Sequence, residues 1–262
     1  MPKIRLASTA ALLFLLAATT ASAQVTLGPT LSSFGVLGGS TVTNTGPTNV
    51  NGNLGVSPGS SVTGFPPGLV SGGTIHMNDA TAVQAQSELT TAYNTVAGTP
   101  CTADLTGQNL GGLTLTPGVY CFTTSAQLTG TLTLDALGNP NAQFLFKIGS
   151  TLTTASGSSV VMANNASSCN VFWQVVTSTT LGTSTAFAGN LLTLQSITLN
   201  TGAGVSGRTL ARNGAVTLDS NNVTACGVAG SGGGAGIPAL SFPILMLLGG
   251  AIVAAGLLIL RE

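Results

Sequence analysis

ITLNTGAGVSG, residues Ile197–Gly207, carries no charge and no aromatic ring. Read as an extended strand, it places Ile197 and Leu199 on one side and Thr198 on the other, because successive strand side chains point to opposite faces. The glycines that follow allow the positive φ angles of a tight corner, so Thr201 to Gly207 read as the turn into the next strand. A strand of this length cannot bury its apolar side alone. The pattern recurs as TLTT from Thr151, TLGT from Thr180, TLNT from Thr198 and TLDS from Thr217, with related TLTP from Thr114 and TLTL from Thr131. Most of these lie 17 to 20 residues apart; one longer step contains NNASSCNVFWQVV and marks an enlarged or irregular coil. A fixed period of this size is the signature of a solenoid, in which each repeat buries its apolar side against its neighbours. STVTNTG (Ser40 to Gly46) and SSVTGFP (Ser60 to Pro66) read as earlier, less regular coils.

The prediction is therefore a mainly β protein, a β-solenoid. With Leu181, Leu199 and Leu218 inward, Thr180, Thr198 and Thr217 form an outward column with a spacing of about 4.8 Å. One segment departs from this. NDATAVQAQSELTTAYNTVAG (Asn78 to Gly98) has Ala82, Ala85, Leu89, Ala92, Tyr93 and Val96 at helical spacing. Asn78 or Asp79 can cap its start, and Gly98 and Pro100 stop it. Its apolar stripe requires a partner, which the solenoid flank provides.

Charged residues make up 5% of the chain, against roughly 25% in an ordinary soluble domain. Nucleic acid is excluded as a partner on this ground, since phosphate binding needs clustered Lys and Arg. Residues 1–23 hold Lys3 and Arg5, an apolar run and Ala21-Ser22-Ala23. This is the pattern of a signal peptide cleaved before Gln24, with an uncleaved anchor as the alternative. Residues 227–236 form a Gly/Ser-rich linker. Residues 237–262 are uncharged as far as Leu260 and long enough to span a bilayer, with Arg261 as a positive flank. IPALS, from Ile237, resembles the start of IPTL-type C-terminal sorting signals, with Ala239 in place of the usual Thr. The expected location is the cell surface or membrane, or the exterior after C-terminal processing by a sorting protease.

The domain between, residues 24–226, holds all four cysteines. In an oxidising compartment an even number suggests two disulfides. Three pairings are possible. Cys101–Cys121 closes a local loop and Cys169–Cys226 would tie down the domain's end, so these are expected. A metal site is the weaker alternative, because the cysteines are far apart in sequence and His76 is the single histidine. No cofactor is expected. GGSTVTNTG lacks the Gly-Lys-Ser/Thr ending of a phosphate loop. His76 reads as a capping or packing residue, Phe172 and Trp173 as core, and Arg208 and Arg212 as donors to nearby carbonyls or to Asp219. Five carboxylates, Asp79, Glu88, Asp104, Asp135 and Asp219, are scattered with no acid/base pair, so no enzyme activity and no catalytic residue are expected.

Several long stretches carry a resemblance. They are SFGVLGGSTVTNTGPTNVNGNLGVSPG (Ser33 to Gly59), GFPPGLVSGGTIHMNDATAVQAQSELTTAYN (Gly64 to Asn94), LTPGVYCF (Leu115 to Phe122) and NVFWQVVTSTTLGTSTAFAGNLLTLQSITLNTGAGVSGRTLARNGAVTLD (Asn170 to Asp219). Together they resemble the secreted bacterial and fungal ice-binding protein family. The resemblance implies a right-handed, three-faced β-solenoid with one long α-helix packed alongside, and coils built from both ends of the chain. It also implies an ice crystal surface as the partner. Several members carry a Thr-Ala/Gly-x-Thr/Asn pattern on one flat face. Here TSTT (Thr177 to Thr180) matches at both threonines with Ser178 between. QSIT (Gln195 to Thr198) keeps Thr198 with Ser196, and GAVT (Gly214 to Thr217) keeps Ala215 and Thr217. The implied site is thus Thr177, Ser178, Thr180, Ser196, Thr198, Ala215 and Thr217. The alternative reading is a surface adhesin or structural protein of the same fold without ice activity.

Overall fold

A computed structural model describes residues 24–227. The chain winds into a β-solenoid with three faces, all of its strand pairs parallel. One face is a separate seven-stranded sheet. The other two are joined in a fifteen-stranded sheet, because the strands Ala186–Thr193 and Gly204–Ala211 run round the corner between them. They bend at Gly189 and Gly207, which pair across the ladder and have φ of +116° and +147°. A Cβ on Gly207 would stand 2.0 Å from the Gly189 carbonyl oxygen, so the corner accepts only glycine.

Coil order along the axis differs from coil order in sequence. From Ala103–Asp104 onward the chain climbs rung by rung to Gly204–Ala211, Val216–Asp219 and Asn222–Thr224. The next coil in space is N-terminal: Phe34–Gly38 pairs with Gly204–Ala211, Thr41–Thr45 with Val216–Asp219, and Asn49–Asn51 with Asn222–Thr224. The strands Asn53–Val56 and Ile75–Met77 then extend the stack. The helix α1, Ala80–Gly98, carries the chain back along the outside. Its 19 residues span about 28 Å, close to six strand spacings of about 4.8 Å.

The helix matches its prediction closely. Ala82, Ala85, Leu89, Ala92, Tyr93 and Val96 are its buried residues, and Asp79 is the cap that accepts from the Ala82 amide. His76 braces that cap at 2.7 Å through Nδ1 and contacts the Phe34 ring, which is the capping and packing role expected of it. The helix covers one solenoid face, so strands there are buried on both sides. Leu145, Phe172, Leu192 and Leu210 point out to the helix. Tyr120, Phe146 and Trp173 point inward and stack, with Phe146 and Trp173 ring centroids 3.8 Å apart and Phe187 tilted against Trp173. Two cores result, one inside the solenoid and one beneath the helix. Lys147 donates to the Thr99 carbonyl just past the helix end. Arg212 lies over the Tyr93 ring rather than on Asp219, whose carboxylate instead accepts from Thr201.

Two expectations change. The strands beginning TLTP and TLTL do not belong to the column of Thr198. Thr114–Leu115 and Thr131–Asp135 pair with each other on a different face, and the seven-stranded sheet is supplied there by Ala126–Leu128. Thr-Leu marks inward–outward alternation but not which face a strand occupies. Of the expected disulfides, Cys101–Cys121 is formed. The expected Cys169–Cys226 bond is not formed: both stand as free, half-buried thiols, with Cys226 Sγ accepting from Arg208.

Three exposed carboxylates are held below the usual range by local hydrogen bonds. Asp79 accepts from the Ala82 amide and from His76, Asp104 from the Thr106 hydroxyl and amide, and Asp135 from the Leu137 amide and Asn164. Lowered folded-state values stabilise the fold above the unfolded carboxylate pKa, and that contribution disappears as pH falls through the folded values. Melting followed by circular dichroism should thus give a midpoint that does not fall for this reason between about pH 5 and 7 and declines below about pH 4. Asp79→Asn should reduce the decline.

Candidate functional site

The seven-stranded sheet runs Ala126–Leu128, Leu152–Thr154, Thr179–Leu181, Ile197–Leu199, Val216–Asp219, Thr41–Thr45 and Ser61–Thr63. Each strand is short, and its inward side chains are mostly aliphatic, with Thr154 and Thr179 buried among them. Its register aligns Gln127, Thr153, Thr180, Thr198, Thr217, Thr43 and Thr63 in one outward column. Two residues earlier on each strand lie Ser125, Thr151, Ser178, Ser196, Ala215, Thr41 and Ser61. All are exposed or partly exposed. Residues two apart on a strand are about 6.5–7 Å apart, and neighbouring rungs about 4.8 Å. The surface is a two-column grid of hydroxyls and methyls, with the Gln127 amide at its end rung, in which no position carries a charge.

Several of these hydroxyls are held in place. Thr151 donates to Ser125 at 2.9 Å, and Thr43 to Thr217 at 3.4 Å. Ser178 Oγ accepts from the Ser196 amide and Ser196 Oγ from the Ala215 amide, at 3.4 and 3.2 Å. The glycine at 214 has a steric cause. A Cβ there would stand 2.4 Å from Ser196 Oγ and 2.6 Å from the Gln195 carbonyl carbon, so no larger residue fits at that corner.

Six of the seven predicted residues, Ser178, Thr180, Ser196, Thr198, Ala215 and Thr217, fall on this grid. Thr177 does not. Three residues before Thr180, it is out of phase with a two-residue alternation. Its hydroxyl is buried at the corner without a hydrogen-bond partner. Its backbone joins the ladder, donating to Ser150 and accepting from Gln195. Sequence reasoning missed the rungs at Ser125/Gln127, Thr151/Thr153, Thr41/Thr43 and Ser61/Thr63. Their alternation was visible, but which strands share one face depends on how the coils stack, both at the Ala126–Leu128 end of the sheet and where the N-terminal coils follow Val216–Asp219.

The other two faces differ in shape. One lies under the helix. The other is dented: the segment around Ser168 overhangs a concavity of about 490 Å³ lined by Met162, Ala186, Ala188, Ser206 and Thr224. Val161 and Leu69 project from the same side. Among the described residues, the seven-stranded sheet is the face that is both open and level.

Comparison with known proteins places this geometry. A family model described as Ice-binding-like matches residues 36–224. An ice-binding protein of Nostoc sp. (strain HG1) is 60% identical over 204 residues, covering 78% of this chain and 75% of that protein. The crystal structure of an ice binding protein from an Antarctic biological consortium superposes with a TM-score of 0.74 at 46% identity, covering 85% of this chain and 96% of that one. For an ice-binding protein from the Antarctic ascomycete Antarctomyces psychrotrophicus the TM-score is 0.72 at 42% identity, covering 75% and 96%.

Proposed function

The chain belongs to the ice-binding-like family, and from that premise we propose that it binds ice crystals through the outer surface of its seven-stranded sheet. The observation that carries this reading is the double column of Thr, Ser and Ala, broken by Gln127 at the end rung, across seven parallel rungs. Ice is a periodic lattice of uncharged hydrogen-bond donors and acceptors. A surface that orders water into a matching array needs regular spacing, small side chains and little motion. Threonine in a strand supplies all three, since its β-branch restricts χ1 and little rotamer entropy is lost when water or ice orders against it. Methyl groups between hydroxyls limit how strongly the surface competes with the lattice for hydrogen bonds. A charged side chain would bind its own hydration shell and roughen the plane, which gives the low charge of this chain a physical purpose.

The activity follows from adsorption. A crystal covered at intervals by bound protein grows only as curved fronts between anchor points, which lowers its growth temperature and slows the coarsening of small grains. The purified protein should show thermal hysteresis and inhibit ice recrystallisation. Absence of both in protein shown by circular dichroism to be folded sinks the proposal.

The ends of the chain place this activity in the cell. Residues 1–23 direct export. Residues 227–236 read as a Gly/Ser-rich linker, and residues 237–262 as a membrane segment and sorting-protease substrate. Residues 1–23 and 228–262 lie outside the described residues, and no helix among the described ones is long and apolar enough to cross a membrane. The reading rests on their sequence. Fractionation of expressing cells tests it: the full chain should enter the membrane fraction, and a chain ending at residue 226 should be released.

A further inference from the structure

Both ends of the described chain lie at one corner of the solenoid. That corner is the bend at Gly189 and Gly207, where strands cross from the dented face to the helix-covered face. Arg208, one residue past the bend, is 4% exposed and donates to the Ser32 carbonyl, the Cys226 carbonyl and Asn190 Oδ1. The Ala225 amide donates to the Asn51 carbonyl beside Gly52, where the N-terminal coil makes the same bend with a φ of +118°. At the other end of the chain, Val25 exchanges two hydrogen bonds with the Gln143 side chain, at 2.9 and 2.7 Å, just before the helix-covered strand Phe144–Ile148. One residue on from Cys226, a Cβ on Gly227 would meet nothing within 4 Å, so the chain is clear of the fold there.

In a three-sided solenoid the corner shared by two faces lies opposite the third. The third face here is the seven-stranded sheet. The C-terminal exit is also firmly held. Asn222–Thr224, from which the chain departs, is paired on one side with Gly204–Ala211 and on the other with Asn49–Asn51. A pull on the C-terminal end is therefore resisted by two parallel ladders and by the charge-assisted hydrogen bond from Arg208 to the Cys226 carbonyl. Residues 228–236, between this exit and the uncharged segment from Ile237, can reach no further than about 30 Å when fully extended.

We propose that the molecule is a two-sided bridge, with the corner at Gly207 and Cys226 turned to a lipid bilayer and the seven-stranded sheet turned to an ice crystal, so that an anchored copy fixes the cell surface to ice. The bridge rests on the ice-binding and membrane-segment readings given above. The body of the solenoid stands between the two attachments, and neither uses the surface that the other needs. An exit from either edge of the sheet would instead hold the bilayer beside the grid, within reach of the short connection, where it would compete with a crystal for the same space. The N-terminal end, bound to Gln143, leaves the grid equally clear.

The full chain is tested in detergent micelles and in vesicles of phosphatidylethanolamine and phosphatidylglycerol. An advancing ice front rejects plain vesicles. Vesicles carrying the full chain should be taken up into slowly growing ice, and many copies acting together should raise uptake about a hundredfold over vesicles carrying the Thr198→Tyr chain. Vesicles carrying Ser206→Tyr, altered on the dented face, should be taken up like the parent. If the full chain in micelles shows thermal hysteresis and its vesicles are rejected, the sheet is turned to the bilayer and the bridge is overturned. Absence of hysteresis in micelles defeats the ice reading, and a full chain that stays out of the vesicles defeats the membrane reading; either result removes one end of the bridge.

Discussion

Thr198→Tyr is expected to abolish most thermal hysteresis and leave the melting temperature nearly unchanged. Thr198 occupies the middle rung of the outward column, between Thr180 and Thr217 in register. Its side chain points away from the core, and the adjacent Ile197 and Leu199 are buried. The substitution therefore places a large ring over the plane without opening a cavity or removing a core contact, and surface changes of this kind alter stability by at most about 0.5 kcal/mol. For the interface the effect is opposite in scale. A rigid lattice cannot rearrange to accept a protruding ring, so rungs on both sides lose contact along with the mutated one. Central residues of an interface carry most of its energy, and we expect activity below about a tenth of the parent, equivalent to at least about 1.4 kcal/mol in adsorption. Thr43→Tyr should do the same although it lies in the N-terminal part of the chain, because Thr43 pairs with Thr217. Ser206→Tyr, on the dented face, should be silent. If Ser206→Tyr is damaging and Thr198→Tyr is not, the site is on the other face.

The pairing of Thr43 with Thr217 also shows where the sequence was legible and where it was not. Local alternation was readable: Ile197/Thr198/Leu199 and Val216/Thr217/Leu218 sit as a period of two requires. The helix was readable because its stripe of alanines, Leu89, Tyr93 and Val96 follows a different period and ends in recognisable caps. Stacking order was not written in any local signal. Which strand lies beside Val216–Asp219 is decided by the helix returning the chain to the far end, and the resemblance to a family, not periodicity, supplied that expectation. Face assignment failed for Thr114 and Thr131 for a related reason. A strand on any of the three faces must alternate in the same way, so Thr-Leu reports inside against outside but not face against face. Thr177 was misplaced because a pattern spaced by three was laid over an element with a period of two. Arg208 is a further case: an arginine in the strand GVSGRTLA gave no sign that it would be buried against the chain's last cysteine.

Trp173→Ala should destabilise the fold by about 3–5 kcal/mol, far more than any substitution on the outer grid. Trp173 is fully buried and is the largest side chain in the solenoid interior. Its ring lies against Phe146 at 3.8 Å and meets Phe187 at 5.0 Å, so truncation removes the middle member of a stack that ties three successive coils. Its indole N–H donates to the Ala188 carbonyl at 3.0 Å, and the loss leaves that buried acceptor unpartnered. Collapse cannot relieve the cavity, because parallel rungs above and below fix the strand spacing at about 4.8 Å. For a domain of this size the change amounts to a fall of about 10 °C in melting temperature, measurable by scanning calorimetry. Trp173→Phe, which keeps the stack and loses only the donor, should recover most of it. The same variant bears on function. Near 0 °C the Trp173→Ala protein should still be folded, and its outer grid, on a different face of the same coils, should still bind ice. Lost ice activity in a folded Trp173→Ala protein would show that the level face depends on this aromatic stack for its flatness, whereas retained activity at a lowered melting temperature separates the residues that hold the solenoid together from those that meet the crystal.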